Sequence, residues 1–125
     1  MTRASLTIRD AVDSDARRVR EILVRTKSMP TPDLLASDIK AALSRADQDD
    51  STRFLVGTVA DEVVAMVHMQ LIPVGPFTDE KALLTSFLLV HPEHRRHGYA
   101  HQLLGAAVTW AEEQGIQQIN GVAHS

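Results

Sequence analysis

Seven of the nine residues from Ala82 to Val90 are apolar, the exceptions being Thr85 and Ser86, and the run ends at His91-Pro92. A stretch this short and this apolar has no solvent face and reads as a central strand covered on both sides. Pro92 stops it, because proline brings no N–H to a ladder. After a basic turn, Tyr99, Ala100, Leu103, Leu104, Ala107, Val108 and Ala111 recur at helical spacing, with Gly115 as the C-terminal stop. Ile116 to Val122 then reads as a last strand. Strand, helix and strand in that order predict a right-handed parallel crossover.

The chain before this unit resolves into further elements. Ser5 to Arg9 alternates polar with apolar as a short strand does, and Asp13-Ser14-Asp15 offers side-chain oxygens to cap a helix start. Ala16, Val19, Ile22, Leu23 and Thr26 line one face of that helix, which ends near Lys27; Arg17, Arg18, Arg20, Glu21 and Arg25 form its wet face. A second helix is expected with Thr31 as cap, Pro32 in the first helical position, and Leu34, Leu35, Ile39, Ala42 and Leu43 as its apolar stripe. Asp47 to Ser51 is a polar loop. Arg53 to Val59 and Val63 to Ile72 are two strands at hairpin spacing across Ala60-Asp61-Glu62. In the second, Val63, Ala65, Val67, Met69 and Leu71 share one face, and Val64, Met66, His68, Gln70 and Ile72 the other. The expected order is strand, two helices, three strands, helix, strand: a mixed α/β (α+β) unit spanning 1–125 as one domain.

Composition narrows the function. With no cysteine, the chain builds no disulfide framework, no thiolate catalyst and no cysteine-based metal site, and a cytoplasmic address is expected. The longest unbroken apolar run is Val63 to Val67, far short of the roughly 20 residues that span a bilayer. A net charge of −3 and 4% aromatic residues argue against a nucleic-acid backbone or base-stacking partner. His91, His94, His97 and His101 fall three, three and four apart, yet Pro92 interrupts any helix through them and Arg95 and Arg96 repel a cation, so no metal is expected.

The segment Leu88 to Ala100 carries the chemistry. It joins a buried strand to an amphipathic helix, so its amides lie at a helix N-terminus, where the first N–H groups lack intrahelical partners and about half a positive charge collects. Gly98 admits an anion close to the backbone, Ala100 intrudes little, and Arg95 and Arg96 add bidentate positive donors. The outline is a pyrophosphate cradle. No Gly-Lys-Ser/Thr follows, and two of the three dinucleotide-fingerprint glycines are missing.

Arg95-Arg96-His97-Gly98-Tyr99-Ala100, preceded by Val90-His91-Pro92-Glu93 and followed by Leu103-Leu104, resembles the acetyl-CoA signature Arg/Gln-x-x-Gly-x-Gly/Ala of the Gcn5-related N-acetyltransferases (GNAT). The resemblance implies a GNAT-like mixed sheet and acetyl-CoA as co-substrate, with an amine as acceptor. It also implies that Leu88, Leu89 and Val90 present backbone groups to the pantetheine arm and thioester. The amides of Arg96, His97, Gly98, Tyr99 and Ala100 are then expected to hold the pyrophosphate, beside the side chain of Arg95 or Arg96. Such a site runs direct acyl transfer: an amine loses a proton and attacks the thioester while a preorganised N–H stabilises the developing oxyanion.

Two departures from the family pattern bear on catalysis. Where many relatives carry a glutamate as general base, this chain has Ser86, leaving Glu80, Asp79 and His68 as candidates and no assigned catalytic residue. The relatives continue into a further helix and two strands, so the chain is expected to be a C-terminally shortened form or to complete itself by forming a homodimer. The alternative reading is a non-catalytic acyl-CoA-binding or interaction module of the same fold.

Overall fold

In a computed structural model, which describes residues 5–28, 35–116 and 118–122 (the last stretch as backbone), the expected order of elements is present. The strands are β1 (Thr7–Asp10), β2 (Thr52–Val59), β3 (Glu62–Pro73), β4 (Lys81–Val90) and β5 (Gln118–Val122); the helices are α1 (Ala16–Arg25), α2 (Ala36–Asp47) and α3 (Tyr99–Glu113). The five strands form one sheet in sequence order, antiparallel throughout except that β5 runs parallel to β4.

Each face of the sheet buries its own apolar set. On one, Ala16, Val19, Ile22 and Leu23 of α1 and Ile39 and Leu43 of α2 pack on Val56, Val63 and Met66. On the other, Tyr99, Leu103, Ala107, Trp110 and Ala111 of α3 cover Leu55, Val64, Ala65, Val67, Met69 and Leu83. Each fully buried aliphatic side chain stabilises this sandwich by roughly 1.5–3 kcal/mol.

Local chemistry moves several expected boundaries. Helix α2 begins at Ala36, because Leu35 is extended (φ −103°, ψ 161°) and its N–H donates to the Asp38 carboxylate at 2.8 Å. The expected cap and first turn, Thr31, Pro32 and Leu34, lie outside the described residues, and Leu35 is exposed rather than part of the apolar stripe. Ala60 and Asp61 both have positive φ (52° and 66°), the geometry of a tight two-residue hairpin turn, so Glu62 belongs to β3 and pairs with Val59. The strict alternation expected along β3 also fails. Between Gly57↔Ala65 and Thr58↔Val63 the register slips at Val64, a bulge that sends Val63 to the α1 side with Met66 and Val64 to the α3 side with Ala65. Gly115 is the stop read from the sequence: it adopts φ 79°, and the Ile116 N–H returns to the Ala111 carbonyl at 3.0 Å.

The expected cap at Asp13-Ser14-Asp15 does something else. These residues form a short 3-10 turn ahead of α1, and the Asp15 carboxylate, only 7% exposed, accepts from the Val12 N–H (2.8 Å) and from both Arg9 Nη atoms (2.8 and 2.9 Å). Burial pushes the Asp15 carboxyl up, but the Arg9 and Val12 hydrogen bonds outweigh it and leave its pKa below the ordinary 3.8. A carboxylate whose folded pKa is depressed stabilises the fold above its unfolded value and ceases to as pH falls through the folded one. The denaturant midpoint is therefore expected to fall on acidification below about pH 4, and to fall less steeply for Arg9→Ala; equal slopes for the two proteins would remove the pair from the acid response.

Candidate functional site

Strand β4 is covered on both faces only over its first half. Ala82, Leu83 and Thr85 are buried, whereas Leu88, Leu89 and Val90 are half-buried, contrary to the uniform cover expected. Two features open this end. Strand β5 pairs with β4 at Ala82, Leu83 and Thr85 and no further among the described residues. Phe87, at φ 52°, forms a bulge: the partner of Met66 is Leu89 while that of His68 is Ser86, leaving one extra residue on β4. A bulky residue in left-handed conformation costs about 1–2 kcal/mol, and the bulge re-aims Leu88 to Val90.

The His91 N–H donates to the Val64 carbonyl at 2.8 Å. In an antiparallel ladder alternate residues point their polar groups to opposite edges, so the N–H of Val90, opposite Ala65, turns away from β3 toward the edge where, among the described residues, β5 does not pair.

At that edge lies a cavity of about 410 Å³ lined by Leu88, Leu89, Val90, His94, Arg95, Arg96, Gly98, Tyr99 and Ala100, with Thr26 from the end of α1. Every site residue expected from the sequence lines it except His97, whose ring stacks on that of Tyr99 with centroids 5.3 Å apart. Gly98 is the N-cap of α3 at φ 76°, and Arg96 also has positive φ (69°). A Cβ built on Gly98 meets nothing within 4 Å, so the backbone at the start of α3 is open to a ligand. The first amides of α3 lack intrahelical acceptors and carry the positive end of its dipole. Arg95 and Arg96 are exposed and have no ion-pair partner among the described residues, unlike Arg9, Arg18, Arg25 and Arg53. An anion fits this arrangement: helix-terminal amides and two arginines line one cavity, and no carboxylate among the described residues lines it.

A second cavity of about 400 Å³, at the other end of the sheet, has the opposite chemistry. Asp10, Asp49 and Asp50 line it, and its one arginine, Arg53, is held by Asp10 at 2.8 Å. Its carboxylates repel a diphosphate.

His91, expected from the sequence only to end β4, is also an anchor. It is 1% exposed; its Nδ1 accepts the Glu93 N–H (3.2 Å) and its Nε2 meets Glu21 Oε2 (3.2 Å). With Nδ1 accepting from a backbone donor, the ring hydrogen sits on Nε2 and is donated to the Glu21 carboxylate. Arg18 holds the same carboxylate at 2.6 Å and donates Nε to the Val63 carbonyl at 2.6 Å. The buried ring thus ties α1 to the turn at Pro92–His94, and Arg18 carries the link on to β3, just ahead of the cavity. Among the described residues no group of three or more His, Cys, Asp or Glu stands together. Thr26, at apolar-stripe spacing in the sequence, instead donates its hydroxyl to the Ile22 carbonyl at 2.7 Å while it lines the cavity.

The family model for acetyltransferases of the GNAT family matches residues 16–124, most of the chain and all of the site. The chain belongs to the GNAT acetyltransferase family. Solved structures give this GNAT chain its fold. A transcriptional regulator from Bacillus halodurans matches with TM-score 0.78 at 21% identity, over 97% of this chain and 83% of that one. A predicted acetyltransferase with acetyl-CoA from Clostridium acetobutylicum gives TM-score 0.74 at 16% identity, over 97% and 82%. An aminoglycoside N-acetyltransferase in complex with CoA gives TM-score 0.78 at 15% identity, over 98% and 80%. No curated protein matches the sequence significantly. Among the described residues of this GNAT chain no helix is long and apolar enough to cross a membrane.

Proposed function

We propose that residues 1–125 act as one acetyl-CoA-binding domain that transfers acetyl to the amine of an acceptor, in the cytoplasm and without a metal. The observation that carries this reading is the cavity itself: the left-handed Gly98 at the start of α3, Arg95 and Arg96, which have no ion-pair partner among the described residues, and the turned-out Val90 N–H line one cleft. In this reading the amides of Arg96 to Ala100 hold the diphosphate, the side chains of Arg95 and Arg96 neutralise it, and Leu88 to Val90 run along the pantetheine arm. The Val90 N–H stabilises the negative charge that develops on the thioester oxygen, the largest single contribution such sites usually make.

The test is a thermal-shift titration with acetyl-CoA, since a ligand that binds only the folded state raises the melting temperature with concentration. No shift up to millimolar ligand would refute the cradle. Replacing Arg95 and Arg96 together by Ala is expected to weaken acetyl-CoA binding by roughly 1–3 kcal/mol, about 5- to 150-fold in Kd, the range for charge-assisted hydrogen bonds. The absence of any carboxylate from Ala82 to Val90 favours one alternative, a binding module without turnover. Binding without thiol release across a panel of amines selects that module; release selects the enzyme.

A further inference from the structure

The acceptor amine arrives protonated, and nothing assigned so far takes its proton. Besides Ser86, the only polar residue between Ala82 and Val90 is Thr85, which is 1% exposed and unavailable to a substrate. Ser86 is half-exposed and pairs across the ladder with His68. His68 shares its face of β3 with Met66, the face that α1 and α2 cover, and its Nδ1 lies 3.0 Å from Ser86 Oγ. The ring is steadied by Phe54, 5.6 Å away between centroids.

This pair directly precedes the Phe87 bulge, beyond which Leu88 to Val90 line the cavity. At about 3.3 Å per residue, Ser86 stands roughly 7 Å along the strand from Leu88, within reach of a small amine at the thioester. Within the sheet, the residues beside His68 on this face are Met66 and Gln70 on β3, Phe54 on β2, and Leu84 and Ser86 on β4, none of them charged. No charged side chain pairs with His68 among the described residues. Burial holds its pKa below the ordinary 6.5, so the ring is neutral and able to accept a proton at physiological pH.

Resting on the transferase reading above, we propose that Ser86 and His68 form the proton relay for the acceptor. Ser86 Oγ contacts the ammonium nitrogen and takes one proton while its own passes to His68 Nδ1, leaving a free amine and an imidazolium. The nitrogen lone pair forms the N–C bond at the thioester carbonyl. The C–S bond breaks, and the second proton shed by the nitrogen goes to the departing thiolate. The imidazolium returns its proton to water, so the ammonium form of the acceptor and acetyl-CoA give amide, CoA thiol and one proton.

The experiment compares wild type, His68→Gln and Ser86→Ala for acetyl-CoA Kd by calorimetry, and for thiol release with a panel of amines from pH 5 to 9. In His68→Gln the acetyl-CoA Kd is expected to stay within twofold, while kcat falls at least 100-fold, the scale of a lost general base. The acid limb of kcat/KM, expected below pH 6.5 in the wild type because the base must be unprotonated, disappears with it. Ser86→Ala lowers kcat less and keeps the limb. A His68→Gln enzyme with wild-type kcat and an intact limb overturns the relay, as does unfolding of both variants, which makes the pair structural. A wild type that binds acetyl-CoA but releases no thiol overturns the transferase reading and the relay together. A wild type that binds none overturns the cradle.

Discussion

Gly98→Glu is expected to abolish acetyl-CoA binding while leaving a folded protein. Gly98 holds φ 76° at the N-cap of α3, a conformation that costs an L residue about 1–2 kcal/mol. A Cβ there strikes nothing within 4 Å, so a side chain enters the cleft rather than the core. The glutamate carboxylate then stands among the first amides of α3 and beside Arg95 and Arg96, satisfying the donors that a diphosphate needs. Gly98→Ala provides the comparison. Both substitutions carry the backbone strain, but only Glu gains from the helix dipole, worth about 0.3–1 kcal/mol at an N-terminus. Melting should therefore rank Glu at or above Ala, while acetyl-CoA affinity ranks Glu far below Ala. Wild-type affinity in Gly98→Glu would place the ligand elsewhere.

His91→Ala is expected to cost roughly 2–4 kcal/mol, the combined scale of a buried side-chain truncation and a stranded backbone donor. The ring is 1% exposed and serves the Glu93 N–H and Glu21 at once. For a chain of this size the melting temperature should fall by about 10 °C. Because the lost anchor lies directly before Arg95, acetyl-CoA should also bind less tightly. A melting point within 2 °C of wild type, by calorimetry, would show that the surrounding turn holds itself; the 2 °C margin is about the shift from 0.5 kcal/mol.

The turn before α3 is legible in the sequence because the physics that makes it is local. Gly98 with its flanking arginines, between an apolar strand and a periodic helix, demands a helix N-terminus with open amides whatever the remainder does, and the structure places that turn where the spacing put it. Thr26 and His94 joined the cavity unannounced, since one comes from the end of α1 and only packing brings it to the turn. His91 was visible as a strand stop and not as an anchor, because Glu21 lies 70 residues away in sequence.

The order of elements, most of each helix face and the glycine turn before α3 follow from the amino-acid sequence, because periodicity, glycine freedom and the helix terminus act over a few residues. Two bulges, at Val64 and at Phe87, were decided only by the assembled sheet: a phenylalanine in a strand gives no local sign of positive φ. Those slips determine which face Val63 serves, where β4 parts from its cover, and which hydroxyl meets His68. A one-residue shift in register costs little locally and reverses every side chain beyond it, so the pairing of whole strands, and nothing shorter, settles it.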